Sequence, residues 1–397
     1  MPGPLAGLTI LDLTSVVLGP YATQLCADMG ARVIKIEPPT GDMVRQIGKS
    51  KVTKGMGPIH LTVNRGKESL CLDLKRPEGK AAFLKLAAKA DALFHNMRPE
   101  AIDGLGLDYE SVRAANPTLV YVGAYGFGTD GPYAARPAYD DIVQGISGVA
   151  GLLESLSGEP RYAPTILCDK TTGLMAALAL VTALLGRARS GQGQKVEVPM
   201  FETMASFMMV EHLWERAIVA DGSIGYTRML SPDRRPYRTK DGYVCATPYA
   251  DKHWKAVFEA VGRGELMSDP RFATINARSQ RINEVYALMS QLMRERTTAE
   301  WLALFEREEI PAAPVQYLAD LPADPHMKAV GLFREVKHPS EGEIRQLRSP
   351  IRFFATGGEM GSPAPTLGQH TRALLAEAGL APAEIDAMIA AGTAKEG

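Results

Sequence analysis

The chain lacks a P-loop, and it lacks the dinucleotide glycine signature at the place where that signature announces a nucleotide site. No G-x-G-x-x-G follows its first apolar run, where Ser15-Val16-Val17-Leu18-Gly19-Pro20 stands instead, and no G-x-x-x-x-G-K-[ST] occurs anywhere. Both absences argue against a dinucleotide dehydrogenase or a P-loop enzyme. Cysteine is scarce: Cys26, Cys71, Cys168 and Cys245 are widely spaced, with no C-x-x-C pair. That spacing fits reduced thiols in a cytoplasmic protein rather than a disulfide framework or a zinc knuckle. The histidines (His60, His95, His212, His253, His326, His338, His370) form no ligand-spaced pair, so no metal site is expected. Charge of one sign is missing too. With 44 Lys and Arg against 45 Asp and Glu, the net charge of −1 disfavours a nucleic-acid binder built on bulk charge. The longest apolar run, from Leu174 to Leu185, is broken by Thr182 and is too short to span a bilayer. The first basic residue is Arg32, so neither a secretory leader nor a membrane partner is expected.

What is present is ample core and an alternating pattern. Hydrophobic residues make up 46% and charged residues 22%, the balance of a globular chain, and 397 residues allow two or three domains. Residues 8–13, 32–37, 69–74, 92–96 and 119–123 read as strands, interleaved with helices over 20–29 and 78–90. Such alternation implies a mostly parallel sheet with right-handed crossovers. Gly123 to Pro137 reads as loop, followed by a long helix over about 170–189, a strand over 195–198 and a Met-rich helix over 201–218. Beyond Asp221-Gly222 the pattern changes. A polar linker (231–236) leads to a hairpin over 237–244, helices over 253–261, 279–294 and 298–307, and a helical tail over 371–391. The expected fold class is α/β, a Rossmann-like parallel-sheet large domain with a smaller α+β domain.

Asp169 is the candidate catalytic residue, set where an apolar stretch meets the start of the long helix. The positive end of the helix dipole favours its ionised form, and an ionised carboxylate outside bulk water is a nucleophile toward carbonyls. The plainer reading is that Asp169 caps the helix, since Asp is a favoured N-cap. Cys168 beside it reads as buried filler. His95, at a strand end, reads as a partly buried structural histidine. Arg45, Arg65 with Lys67, Arg98 and Arg136 recur in loops beside strand termini, where ligands of open α/β sheets bind. Arg98, just after Asn96, is the best candidate for a phosphate contact through its guanidinium fork.

Several segments resemble the class III coenzyme A transferase family, which includes formyl-CoA transferase and α-methylacyl-CoA racemase. They are Pro4 to Leu13, Gly19 to Leu25, Gly30 to Pro38, Asn64-Arg65-Gly66-Lys67, Leu72-Asp73-Leu74-Lys75 and Asn96-Met97-Arg98-Pro99. The match continues through Gly126-Phe127-Gly128, Gly131-Pro132-Tyr133, Tyr139-Asp140 to Gln144, and Gly191-Gln192-Gly193-Gln194, covering nearly the whole chain. The resemblance implies a CoA-transferase with Asp169 as nucleophile. It places the coenzyme against Leu72, Asp73, Leu74, Lys75, Asn96, Arg98 and Arg136, with Tyr139 and Asp140 near the thioester. No cofactor is held permanently; a CoA thioester and a carboxylic acid are the substrates. The family's racemases carry His where this chain has Tyr139, and an ordinary tyrosine, titrating near ~10, is a poor base for an α-proton. Racemase or epimerase activity is therefore the second reading, and a non-catalytic CoA-binding protein the third. The glutamine that shields the anhydride in formyl-CoA transferase is Val17 here, and the glycine-rich loop is missing before Tyr237, so a different acid pair is implied. Arg228, Arg234 and Arg235 are candidates to face a dicarboxylate.

The resemblance also implies an interlocked, ring-like homodimer. Its domains would be residues 1–200 (large, CoA-binding), 201–235 (helix and linker), 236–320 (small α+β) and 321–397 (a return segment completing the large domain).

Overall fold

The computed structural model describes residues 2–358 and 361–397. They form two compact units. The larger comprises residues 1–150, 162–207 and 325–397, and the smaller comprises 151–161 and 208–324.

The larger unit is built on a seven-stranded sheet. Its parallel strands are β1 (Thr9–Leu13), β2 (Arg32–Glu37), β3 (Lys67–Leu72), β4 (Ala92–His95), β5 (Val120–Gly123) and β6 (Lys195–Glu197). Their order is β3-β2-β1-β4-β5-β6, and a C-terminal strand, Ala394–Lys395, adds antiparallel to β3. The order reverses between β1 and β4, and the crevice outside the carboxyl ends of the strands at such a switch point is where open α/β sheets bind ligands. Central strands covered on both faces need continuous apolar runs, which explains the clean sequence signal of β1, β2 and β4. One core layer packs Leu11, Ile34, Leu70 and Leu93 with Phe83 and, from the return segment, Leu374, Leu375 and Ile385.

Charge is buried around β1, β2 and the start of β3. Asp12, fully buried on β1, accepts from Lys67 Nζ at 2.9 Å and from Thr23 Oγ1 at 2.6 Å. Lys67 also donates to Pro20 O and Asn64 Oδ1, both at 2.9 Å. Lys35 donates to Thr14 O at 2.8 Å and Asp42 Oδ2 at 3.2 Å. Arg45 grips Glu37 with two bonds of 2.7 and 2.6 Å. Burial opposes the charge of Asp12, yet Lys67 and Lys35 together hold its carboxyl well below the usual range. The return segment closes over this cluster: His60 Nε2 lies 3.1 Å from Pro365 O, and Ser69 Oγ accepts from Gly368 N at 2.9 Å.

The helix Leu167–Ser190 is long and apolar enough to cross a membrane by length and composition alone. Here it packs on the helix Leu18–Asp28. The join is at Gly173, where a Cβ would come within 2.7 Å of Leu18 O. The helix begins at Leu167 rather than 170, with Ile166 as N-cap and no side-chain cap. The Met-rich helix, Met200–His212, is shorter than its apolar pattern suggests, and Trp214 follows at a positive φ of 49°. The hairpin Phe333–His338 with Gly342–Leu347 gave no sequence signal, because both strands are half exposed and carry charge on either face.

The smaller unit has a three-stranded antiparallel sheet, Tyr237–Arg238, Tyr243–Ala246 and Ala312–Pro314. Helices Asp251–Ala260, Ile282–Leu292 and Thr298–Arg307 pack around a core that includes Trp254, Phe258, Trp301 and Phe305. The last helix starts on a Thr297–Glu300 capping box.

His60 supplies a stability test. Burial first, then the Arg45 guanidinium, pushes its imidazole down to about 3, against Glu37, which pulls the other way. An unfolded histidine takes up a proton below about 6.5, so stability is intact above that pH and is lost as pH falls toward 3. We expect the urea midpoint of the larger unit to fall between pH 7 and pH 4, His60 contributing on the order of 3 kcal/mol of that loss. In His60→Gln the fall should be visibly shallower; equal slopes would refute the assignment.

Candidate active site

Asp169 lies in the first turn of the helix Leu167–Ser190, with 8% of its surface exposed. Because Ile166 holds the N-cap position, Asp169 does not cap this helix. Gly173, one turn later on the same face, meets Leu18. Asp169 is thereby directed toward the start of the helix Leu18–Asp28 and the loop that follows β1.

That loop is strained and pinned. Val16 has a φ of 67°, a conformation that β-branched residues rarely adopt. Its N–H donates to both carboxylate oxygens of Asp42 at 3.2 Å, and Asp42 is held in turn by Lys35. Strain of this kind persists only where surrounding structure over-determines it. Ser15 is clamped across the switch point: its N–H donates to Asn96 Oδ1 at 2.9 Å, and Asn96 Nδ2 returns to Ser15 O at 2.8 Å.

Asp140 is the nearest charged neighbour that acts on Asp169. Its Oδ1 accepts the Asp169 N–H at 3.0 Å, and its Oδ2 accepts from Gln144 Nε2 at 2.6 Å. Gln144 is buried, and its Oε1 accepts from Ala163 N at 2.8 Å. One glutamine thus ties the start of the helix Asp140–Ile146 to the segment before Asp169. Burial, and then the Asp140 charge, pushes the Asp169 carboxyl up to about 7. A carboxylate that is poorly solvated and repelled by a neighbour has its negative charge available for attack. The Cys168 thiol is pushed up to about 12 by burial and by the same carboxylates. It is not a competing nucleophile.

The proposed coenzyme residues divide by surroundings. Leu72 is fully buried in the core on β3, and Leu74 packs partly against that core. Asp73 accepts from Lys75 N at 3.0 Å in a turn that leaves Lys75 exposed at the carboxyl end of β3. Arg98 is exposed at the N-cap of the helix Pro99–Gly104, and the exposed Arg136 guanidinium lies 3.9 Å over the Tyr133 ring. Tyr139 is 66% exposed at the N-cap of the helix Asp140–Ile146. Three basic residues that the sequence offered as loop cations are buried ion-pair partners instead: Arg45 with Glu37, Arg65 with Asp28, Lys67 with Asp12. They fill the fold rather than meet a ligand. His95 is buried against Tyr121, and burial pushes it down to about 4. Gln144 and Val16 were not foreseen. The four-residue spacing of Gln144 from Asp140 was a usable signal; nothing in the sequence marks a valine for a positive φ.

The family model for CoA-transferase family III matches residues 5–371. A succinate–glutarate CoA-transferase of Agrobacterium fabrum is 33% identical over 384 residues, covering 94% of this chain and 95% of its own. An acetyl-CoA:oxalate CoA-transferase of Acetobacter aceti is 33% identical over 387 residues, covering 94% and 96%. The crystal structure of a CAIB/BAIF family protein from Brucella suis superposes with a TM-score of 0.81 at 32% identity, covering 95% of this chain and all of that one.

The electrostatics of the pair give a measurable consequence. If Asp169 is the group that attacks, it must first lose its proton, and kcat/KM should rise through pH about 7. Asp140→Asn removes the repelling charge and keeps an acceptor for the Asp169 N–H. Its ascending limb should therefore move to lower pH; an unmoved limb would show that Asp140 does not set this ionisation.

Proposed function

The chain belongs to CoA-transferase family III, and from that membership we propose that Asp169 carries CoA covalently between an acyl-CoA donor and a free carboxylic acid. The observation that carries this reading is the buried carboxylate raised to about 7 at the start of a helix and tied by its own N–H to Asp140.

The sequence of steps needs no water. The Asp169 carboxylate attacks the thioester carbonyl and expels CoA thiolate, leaving a mixed anhydride. The thiolate re-attacks the aspartyl carbonyl, which frees the donor acid and leaves an aspartyl-CoA thioester. The acceptor carboxylate then displaces CoA thiolate to give a second anhydride. Thiolate attack on its acyl carbonyl releases the new acyl-CoA and restores the Asp169 carboxylate. Each tetrahedral oxyanion needs preorganised donors, and the start of the helix Leu18–Asp28 supplies backbone N–H groups beside Val16 and Val17. A dry site protects both anhydrides from hydrolysis, and the buried Val17 serves that end.

Lys75, Arg98 and Arg136 are the groups we assign to the nucleotide end of CoA, with Asp73, Leu72 and Leu74 shaping the β3 edge beneath it. Asn96 acts by holding Ser15, and Tyr139 covers the thioester. We assign residues 1–200 and 321–397 to the CoA-binding domain, 201–235 to a linker and 236–320 to a smaller α+β domain. An exposed apolar stripe on the Asp169 helix (Leu174, Met175, Leu178 and Leu185) supports assembly as a homodimer, interlocked as the family resemblance implies. The free cysteines support a cytoplasmic setting.

Asp169→Ala should lower transfer from succinyl-CoA to glutarate by on the order of 10⁴-fold while leaving CoA binding intact. Intact-protein mass spectrometry after incubation with succinyl-CoA and hydroxylamine or borohydride trapping should place an adduct on Asp169. If no donor labels the protein and α-protons exchange into deuterated water instead, the reading is wrong and the enzyme is a racemase.

A further inference from the structure

Three successive residues of the loop after β1 are each pinned by a side chain. Thr14 N–H donates to Asp12 Oδ1 at 2.9 Å, and its carbonyl accepts from Lys35 Nζ at 2.8 Å. Ser15 is clamped by Asn96. Val16 N–H is held between the two oxygens of Asp42. The chain then enters the helix Leu18–Asp28 through Val17, its N-cap, and the first N–H groups of a helix have no partner within it.

The three pins do different work. Of these residues only Val16 lies in the left-handed region, at a φ of 67°. A β-branched residue there relaxes to a negative φ unless something opposes it. Asp42 opposes it, and Asp42 cannot turn aside. It is 5% exposed, its own N–H donates to Glu37 Oε1 at 2.9 Å, its Oδ1 accepts from Val44 N at 3.2 Å, and Lys35 holds its Oδ2. If Val16 relaxed, the chain beyond it would turn, and the N–H groups of Val17 and Leu18 with it. Leu18 is also the residue on which the Asp169 helix packs, since a Cβ on Gly173 would come within 2.7 Å of its carbonyl oxygen. The direction of this loop is therefore the direction of the donors nearest the helix that carries Asp169.

We propose, on the reading that Asp169 is the nucleophile, that Asp42 is a positioning residue for acyl transfer. By holding Val16 in the left-handed region it keeps the Val17 and Leu18 N–H groups facing the carbonyl that Asp169 attacks. Asp42 is buried and acts only through this loop.

The test is a double-mutant cycle on the full-length enzyme. It is read by steady-state transfer from succinyl-CoA to glutarate and by the rate at which succinyl-CoA labels Asp169. Asp42→Ala should lower kcat and the labelling rate alike, by on the order of 10²-fold, with KM for succinyl-CoA changed by less than about threefold. In a Val16→Gly background the same substitution should lower kcat by less than about tenfold, because glycine keeps a positive φ without help. Glycine adds chain freedom and cannot replace a lost ion pair, so this rescue separates aiming from stabilisation. Val16→Pro gives a second route if Asp42→Ala fails to fold. It fixes a negative φ and leaves the buried charges in place, and kcat should fall by at least about tenfold. An unchanged kcat in Asp42→Ala, an equal loss in both backgrounds, or a folded and fully active Val16→Pro enzyme would overturn the proposal. If Asp169→Ala keeps full transfer, the nucleophile reading falls and takes the role of Asp42 with it. If Asp169 is labelled at the normal rate in Asp42→Ala, the role of Asp42 falls alone.

Discussion

Two buried lysines and the carboxylates around them are the constraint on which the larger unit depends. Asp12, Lys67, Lys35 and Asp42 lie on or beside three adjacent strands, and none has more than a few per cent of its surface exposed. Buried ion pairs bring little net stability, because desolvation offsets attraction, but removing one partner strands the other. Their effect here is to fix geometry. Lys35 holds Asp42, Asp42 holds the N–H of Val16, and Val16 keeps a φ it would otherwise leave. The loop at the switch point is thus shaped by charges buried beneath it.

The carboxyl pair at the helix start works on a different balance. Burial and the neighbouring Asp140 both raise the cost of charge on Asp169. The fold tolerates this because Asp140 is itself satisfied by Gln144 and by the Asp169 N–H. A costly charge at one carboxyl is set beside a neighbour that accepts two hydrogen bonds.

Much of this was legible in the sequence, for reasons that differ by element. β2 was placed to the residue, because an apolar run ended by two prolines leaves little choice. β3 was placed two residues late: it begins at Lys67, a charge that reads as loop until Asp12 is known to lie beside it. The same blindness made Arg45 and Arg65 look like surface cations, since sequence shows a charge but not its partner. The short helices over 140–157 went unseen because Gly145, Gly148 and Gly151 weaken the helical pattern. Asp169 stood out by its setting in a family-like frame. The weakened acidity of Asp169 and the Gln144 tie come from contacts between residues 19 and 29 positions apart, and local patterns hold no record of them.

The larger unit is assembled from both ends of the chain. His370 accepts from Ser69 N, Thr371 Oγ1 accepts from Cys71 N, and the strand Ala394–Lys395 seals the edge of β3. Residues 208–324, which lie between, have a core of their own. During synthesis, then, the inserted unit can complete its fold while the first half of the sheet still shows an open edge at β3. That edge must wait for some three hundred further residues to emerge, a long interval in which an unpaired strand is open to wrong partners.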